Sequence, residues 1–144
     1  MTPRDQLKNY CEAFNQRDRE QALALFAERA LFEMPLLGQR LVGWREIGAG
    51  LARMFELTQS AAIQMSAVEE AAPLVMGPLV MGEGRLTARL HRDPAEVSIP
   101  LAVALEGDEG GIARLSVYLD ARPYRLWTDG PIFASRGSQP VGTP

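Results

Sequence analysis

Helix-period apolar residues run as far as Phe55, and from Ala61 onward apolar and polar residues alternate with a period of two. That order predicts an α+β domain in which three N-terminal helices pack on one side of an antiparallel sheet. Each strand-like segment has one apolar and one polar face, the pattern of a sheet covered on a single side. The 144 residues fit one domain of ordinary size and leave no room for two independent cores. Folding at this length removes roughly 70% of the surface that the unfolded chain exposes, so the core needs no disulfide or metal.

Thr2 is a good N-cap for the first helix, Pro3 suits its first position, and Asp5 stands where a carboxylate can reach back to the cap. Leu7, Tyr10, Cys11 and Phe14 then fall on one face. Asn15, Gln16 and Arg17 break the pattern, and Asp18 recaps a second helix that buries Ala22, Leu25 and Phe26. A short strand is predicted over 30–34, stopped by Pro35, and then a glycine-flanked connection over 37–43. A third helix carries Ile47, Leu51, Met54 and Phe55 on one face. Its Gly48 and Gly50 each cost about 1 kcal/mol against alanine, so tertiary packing is expected to hold it.

In the second half Ile63, Met65 and Ala67 alternate with polar or small neighbours. Leu86, Ala88 and Leu90 share a face opposite Arg85, Thr87, Arg89 and His91. Val97, Ile99, Leu101, Val103 and Leu105 form another apolar face, and residues 107–111 a turn. Leu115, Val117 and Leu119 face away from Arg114, Ser116, Tyr118 and Asp120. The pentapeptide PLVMG occurs twice in tandem, at 73–77 and 78–82, a period far too short for a solenoid; it reads as a lengthened strand or its lead-in.

The composition, 47% apolar and 23% charged with a net charge of −3, is that of an ordinary globular protein. No Lys/Arg cluster is present to track a phosphate backbone, so no nucleic acid partner is expected. Residues 1–9 are charged and polar, unlike a signal peptide, and no apolar run is long enough for a membrane span, so the expectation is a cytoplasmic protein off the membrane. A single cysteine, Cys11, and a single histidine, His91, far apart in the chain, make a zinc or iron site and an internal disulfide unexpected. Nucleotide-binding glycine loops, a nucleophile elbow, HExxH and CxxC are all missing, and no cofactor is expected.

The order helix, helix, short strand, helix, strands is joined by local motifs at 10–18 (YCEAFNQRD), 24–27 (ALFA), 34–35 (MP), 43–47 (GWREI) and 117–120 (VYLD). Together they resemble the nuclear-transport-factor-2-like superfamily and, within it, the SnoaL-like group, over roughly residues 5 to 122. The resemblance implies a cone-shaped, cystatin-like α+β barrel whose wide end opens into a pocket between sheet and helices. It assigns residues 1–125 to that cone and leaves 126–144 as a C-terminal extension. It also implies a homodimer through the polar face of the sheet. Ketosteroid isomerases, polyketide cyclases, dehydratases, epoxide hydrolases and non-catalytic binding modules share this fold, so it implies no single activity.

Residue by residue, Tyr10 matches the first-helix tyrosine that donates to the substrate oxyanion in the ketosteroid isomerases. The carboxylate base of those enzymes falls at Met34 and their second acid near Leu101, while the proton-transferring acid of the SnoaL-type cyclases falls at Val117. None of these three apolar side chains can exchange a proton, so neither mechanism carries over. Tyr10 is open to two readings, a core tyrosine or a ligand contact, and so is Trp44, a packing anchor or a wall of the pocket. His91 and Glu33 alternate onto the polar side, and Asp120 with Tyr118, Ser116 and Arg114 makes a polar stripe for a partner subunit or the C-terminal segment. Cys11 reads as a small buried hydrophobe.

The sequence therefore points to a binder of a small, mostly apolar molecule, in a pocket lined by Tyr10, Phe14, Met34, Trp44, Met54, Leu101 and Val117. An isomerase, cyclase or dehydratase using general acid/base chemistry, and a non-catalytic dimeric structural module, are the alternatives. Leu126, Trp127, Ile132 and Phe133 are expected to anchor the extension across the sheet or a neighbouring subunit, because the Gly/Pro/Ser/Thr-rich stretch 134–144 has little apolar surface of its own.

Overall fold

The chain folds, in a computed structural model that describes residues 1–71, 78–93 and 95–120, as three helices on one six-stranded sheet. Helix α1 spans Pro3–Asn15, α2 Arg19–Ala24 and α3 Gly43–Leu57; the strands are β1 Phe26–Met34, β2 Gln39–Val42, β3 Thr58–Ala71, β4 Leu79–Leu90, β5 Val97–Asp108 and β6 Gly111–Tyr118. The residue-125 boundary, the anchors Leu126, Trp127, Ile132 and Phe133, and the first copy of the tandem pentapeptide lie outside the described residues; the second copy, from Leu79 on, forms the start of β4.

The capping box at the start of α1 forms in full: Thr2 Oγ1 accepts from the Asp5 amide at 3.1 Å and Asp5 Oδ2 from the Thr2 amide at 3.2 Å. Asp18 Oδ1 caps α2 by accepting from Gln21 N at 3.0 Å. Between the two helices Arg17 adopts the left-handed conformation, φ 57°, a strained choice for a side-chain-bearing residue. Its guanidinium holds the strain in place by donating to the carbonyls of Phe55 and Thr58 at the end of α3 and lying over the Phe55 ring, 5.0 Å from its centre.

The strands run β2-β1-β6-β5-β4-β3, and every neighbouring pair is antiparallel except β1 and β6. The sheet is therefore mixed where sequence alternation suggested antiparallel pairing throughout. Alternation tells which residues share a face but carries no information on strand direction, and the long return from β1 to β6 leaves direction free. The parallel partner also lengthens β1. It begins at Phe26 rather than Ala30, because Phe26 pairs with Ile112 and the Leu25 carbonyl accepts from Ile112 N at 2.8 Å. Residues 39–42, read as connection, form β2 against β1, with Leu41 opposite Phe32 and Gln39 opposite Met34. Four residues are too short for a period to show.

The helices cover one face of the sheet, hereafter the inner face. Leu86, Leu90, Ile99, Leu101, Val103, Leu115 and Val117 turn inward and are each exposed by 5% or less, while Arg85, Arg89 and Arg114 lie on the outer face, as the alternation predicts. The alternation fails once, at Ala67, which is exposed. A bulge between Met65 and Ala67 shifts the register, so Val68 takes the inward place opposite Gly82. Gly84 stands opposite the bulge because a Cβ there would collide with the Gln64 carbonyl and the Met65 backbone.

Candidate functional site

The inner face converges on an aromatic group rooted in α1. Tyr10 lies edge-on to Phe26, ring centres 5.7 Å apart, with Phe14 at 6.2 Å and Phe32 at 6.4 Å. Phe14 in turn meets Phe55 of α3 at 5.5 Å. Tyr10 is 3% exposed, and among the described residues its hydroxyl has no hydrogen-bond partner. Burial pushes the phenol far above its ordinary pKa, with the neighbouring Cys11 adding to the effect, so at neutral pH it is a donor.

The positions at which the resemblance places familiar acids come together on this face. Phe32 and Glu33 of β1 stand beside Leu115 and Ser116 of β6, so the next step of that parallel register sets Met34 beside Val117. Val117 faces Val103 of β5, one inward position from Leu101. Met34, Leu101 and Val117 thus form a continuous apolar wall, and Met54 of α3 belongs to the same buried cluster. Trp44 does not: it is 46% exposed at the start of α3 and donates its indole N–H to the Phe26 carbonyl at 2.8 Å, which ties the helix to β1.

Sequence reasoning passed over Gln39. Opposite Met34 on β2, it is 5% exposed and shares Met34's inward face, with its amide nitrogen donating to the Leu37 carbonyl at 3.3 Å. The signal that could have found it was a lone polar residue two places before Leu41, but it counts only once β2 is known to be a strand. The Tyr10 phenol and the Gln39 amide are therefore two neutral polar groups beside this apolar wall; Gln6 of α1, 2% exposed, is a third on the helix side of the sheet, its Nε2 donating to the Asp108 carbonyl at 2.8 Å.

Glu33 is the buried carboxylate among the described residues, 6% exposed, and it lies on the outer face. Alternation placed it there, but its neighbours cover most of it: Ser116 Oγ donates to Glu33 Oε1 at 2.7 Å and Arg114 Nε to the same oxygen at 3.1 Å. Ser116, expected on a polar stripe for a partner subunit or the C-terminal segment, is buried with it within the sheet itself. Burial works to raise the Glu33 pKa, but the hydrogen bonds from Ser116 and Arg114 and the charges of Arg114 and Arg40 outweigh it and hold the carboxyl below its ordinary value. His91 is exposed just beyond β4, and Asp120 is half-buried past the end of β6. Cys11 is buried, which pushes its thiol up to about 11 and leaves it neutral at physiological pH. Among the described residues no three His, Cys, Asp or Glu side chains converge as a metal site, and no helix is long and apolar enough to cross a membrane.

On the outer face Pro100 and Ala102 floor a groove of about 630 Å³ bordered by Gln64, Glu83, Arg85 and Tyr118. A smaller cleft of about 320 Å³ lies between α1 and β3.

The sequence model of the SnoaL-like domain family matches residues 7–115. No curated protein is similar to the chain in sequence. Among solved structures, a hypothetical protein with a ketosteroid isomerase-like fold from Catenulispora acidiphila, solved with trimethylamine, is 15% identical, covers 94% of this chain and 100% of its own, and superposes with a TM-score of 0.75. A candidate SnoaL-like polyketide cyclase from Shewanella denitrificans is 18% identical over 88% of this chain and 94% of its own, with a TM-score of 0.71. An LEH-like epoxide hydrolase from M. tuberculosis is 18% identical over 82% of each chain, with a TM-score of 0.65. At these identities the likeness concerns the fold.

Proposed function

The chain belongs to the SnoaL-like domain family, and from that premise we propose that it binds a small, mostly apolar molecule inside the cone. The observation that carries this reading is the inner wall itself. Met34, Leu101 and Val117 offer apolar surface, and Tyr10 and Gln39 offer a neutral donor and a carboxamide to orient a ligand oxygen. General acid/base turnover needs a group that exchanges protons near neutral pH, and the inner positions that would supply one are a thioether and two aliphatic side chains. A β,γ-unsaturated ketosteroid is accordingly expected to pass through unisomerised.

Benzophenone, an apolar ketone with a single acceptor, is a suitable probe, read by saturation-transfer NMR. Leu101→Trp and Val117→Trp, which put bulk on the inner wall, should abolish binding. Tyr10→Phe, which deletes one hydrogen bond to the ketone, should weaken it about fivefold. Wild-type binding in all three variants would end the cone reading.

The outer groove favours a second reading, a homodimer through this face. It carries Glu83 and Arg85 beside an exposed aromatic ring, Tyr118 at 40%. A two-fold axis through such a patch sets acid against base and offers each tyrosine the small-residue floor of the other copy.

A further inference from the structure

Helix α1 is fastened to β3 at two points and stands off between them. Near its C-terminal end Asn15 acts as a short strand partner, its Nδ2 donating to the Ile63 carbonyl at 2.9 Å and its Oδ1 accepting from Ile63 N at 2.7 Å. Near its N-terminal end Arg4 donates to the Val68 carbonyl at 3.1 Å and pairs with Glu70 at 3.5 Å. The middle turn of the helix is left open over the strand. The gap is the cleft of about 320 Å³, at the small end of ligand-sized cavities.

Its walls are chemically divided. Leu7 and Cys11 from the helix and Met65 and Val68 from the strand form the floor. Val68 contributes because the bulge after Met65 turns it to the helix side. Cys11 supplies a neutral, buried thiol, so this floor is apolar throughout. Lys8 and Glu12 stand one turn apart on the rim. Both are exposed, and among the described residues neither has an ion-pair partner. Lys8 lies on the same side as Arg4, nearer the N-terminal end of α1, and Glu12 nearer the C-terminal end.

We propose that this cleft is a second binding site, separate from the cone, for an alkanoate: the carboxylate on Lys8 and the hydrocarbon chain on the Leu7–Cys11–Met65–Val68 floor. A straight chain suits a narrow slot between a helix and a strand. The polarity of the rim fixes its direction, because Glu12 repels the carboxylate from the opposite end. The two fastenings make the slot preformed, which lowers the ordering cost of binding.

Decanoate and decanol, titrated calorimetrically against the full chain, test the proposal. Decanoate should bind at one site, with an affinity that falls on adding salt. Val68→Trp, which fills the slot, should abolish that binding. Lys8→Glu, a surface change that leaves the packing alone, should weaken decanoate about tenfold and leave decanol unchanged. Benzophenone binding should survive both variants, and decanoate binding should survive Leu101→Trp. Decanoate retained in Val68→Trp but lost in Leu101→Trp would move the ligand into the cone, overturning this proposal while sparing the first. Absence of decanoate binding at millimolar concentration, or an equal loss of decanoate and decanol in Lys8→Glu, would also overturn it.

Discussion

Glu33 Oε1 takes hydrogen bonds from Ser116 and from two nitrogens of Arg114, and Arg40 stands opposite it on β2. Removing the charge while keeping the shape, as in Glu33→Gln, should cost about 2 kcal/mol at neutral pH, the usual worth of hydrogen bonds to a charged group. The Arg114 side chain is 42% exposed, which argues against a larger figure. The sign with pH follows from the depressed pKa. Unfolding restores the ordinary value of 4.5, so the stabilisation is complete above it and is lost as the pH falls below 4.5 through the folded value. Urea denaturation across that range should show the gap between wild type and Glu33→Gln closing as the pH drops. A gap that stays constant would mean that the carboxylate charge contributes nothing.

Two glycines separate the effect of an element's own propensity from that of its neighbours. Gly48 weakens α3 on intrinsic grounds, yet a Cβ there would meet only the flexible ends of Leu23, at 3.1 Å, and Arg19, at 3.3 Å. Arg19 Nε already donates to the Gly48 carbonyl at 3.0 Å, which brings α2 close to α3. Gly48→Ala gains about 1 kcal/mol of helix propensity against a small repacking cost, and its melting temperature should stay within a few degrees of wild type. Gly84→Ala presses against backbone at the β3 bulge, where nothing can rotate away. It should cost about 3 kcal/mol, an overpacking penalty that denaturant midpoints would register. Equal effects in the two variants would refute this account of the bulge.

For the molecule as a whole, the proposed assembly rests on the outer face of the sheet. The homodimer proposed above should elute at twice the chain mass of 15.8 kDa in light scattering at micromolar concentration. Ala102→Arg, placed on the groove floor, should convert it to a folded monomer. A wild-type monomer, or a dimer indifferent to Ala102→Arg, would remove the outer groove from the interface.

The apolar faces, the helix caps and the α+β class were legible in the sequence because they depend on local spacing. Thr2 with Asp5, the face shared by Leu7, Tyr10 and Phe14, and the alternation of β4 and β5 need only the geometry of a helix or a strand. Even the apolar character of the inner wall at Met34, Leu101 and Val117 was readable, since it is residue identity at inward positions. What only the tertiary structure decided is everything set by a neighbour distant in sequence. The parallel β1–β6 pair extended β1 to Phe26 and buried Glu33 beneath Arg114 and Ser116. Pairing with β1 made a strand of residues 39–42 and turned Gln39 inward. The bulge reversed the facing of Ala67 and Val68 and so formed the floor of the α1–β3 cleft. A period records the direction of a side chain relative to its own backbone; whether that direction meets water, a carboxylate or another strand depends on pairings between residues up to more than eighty positions apart.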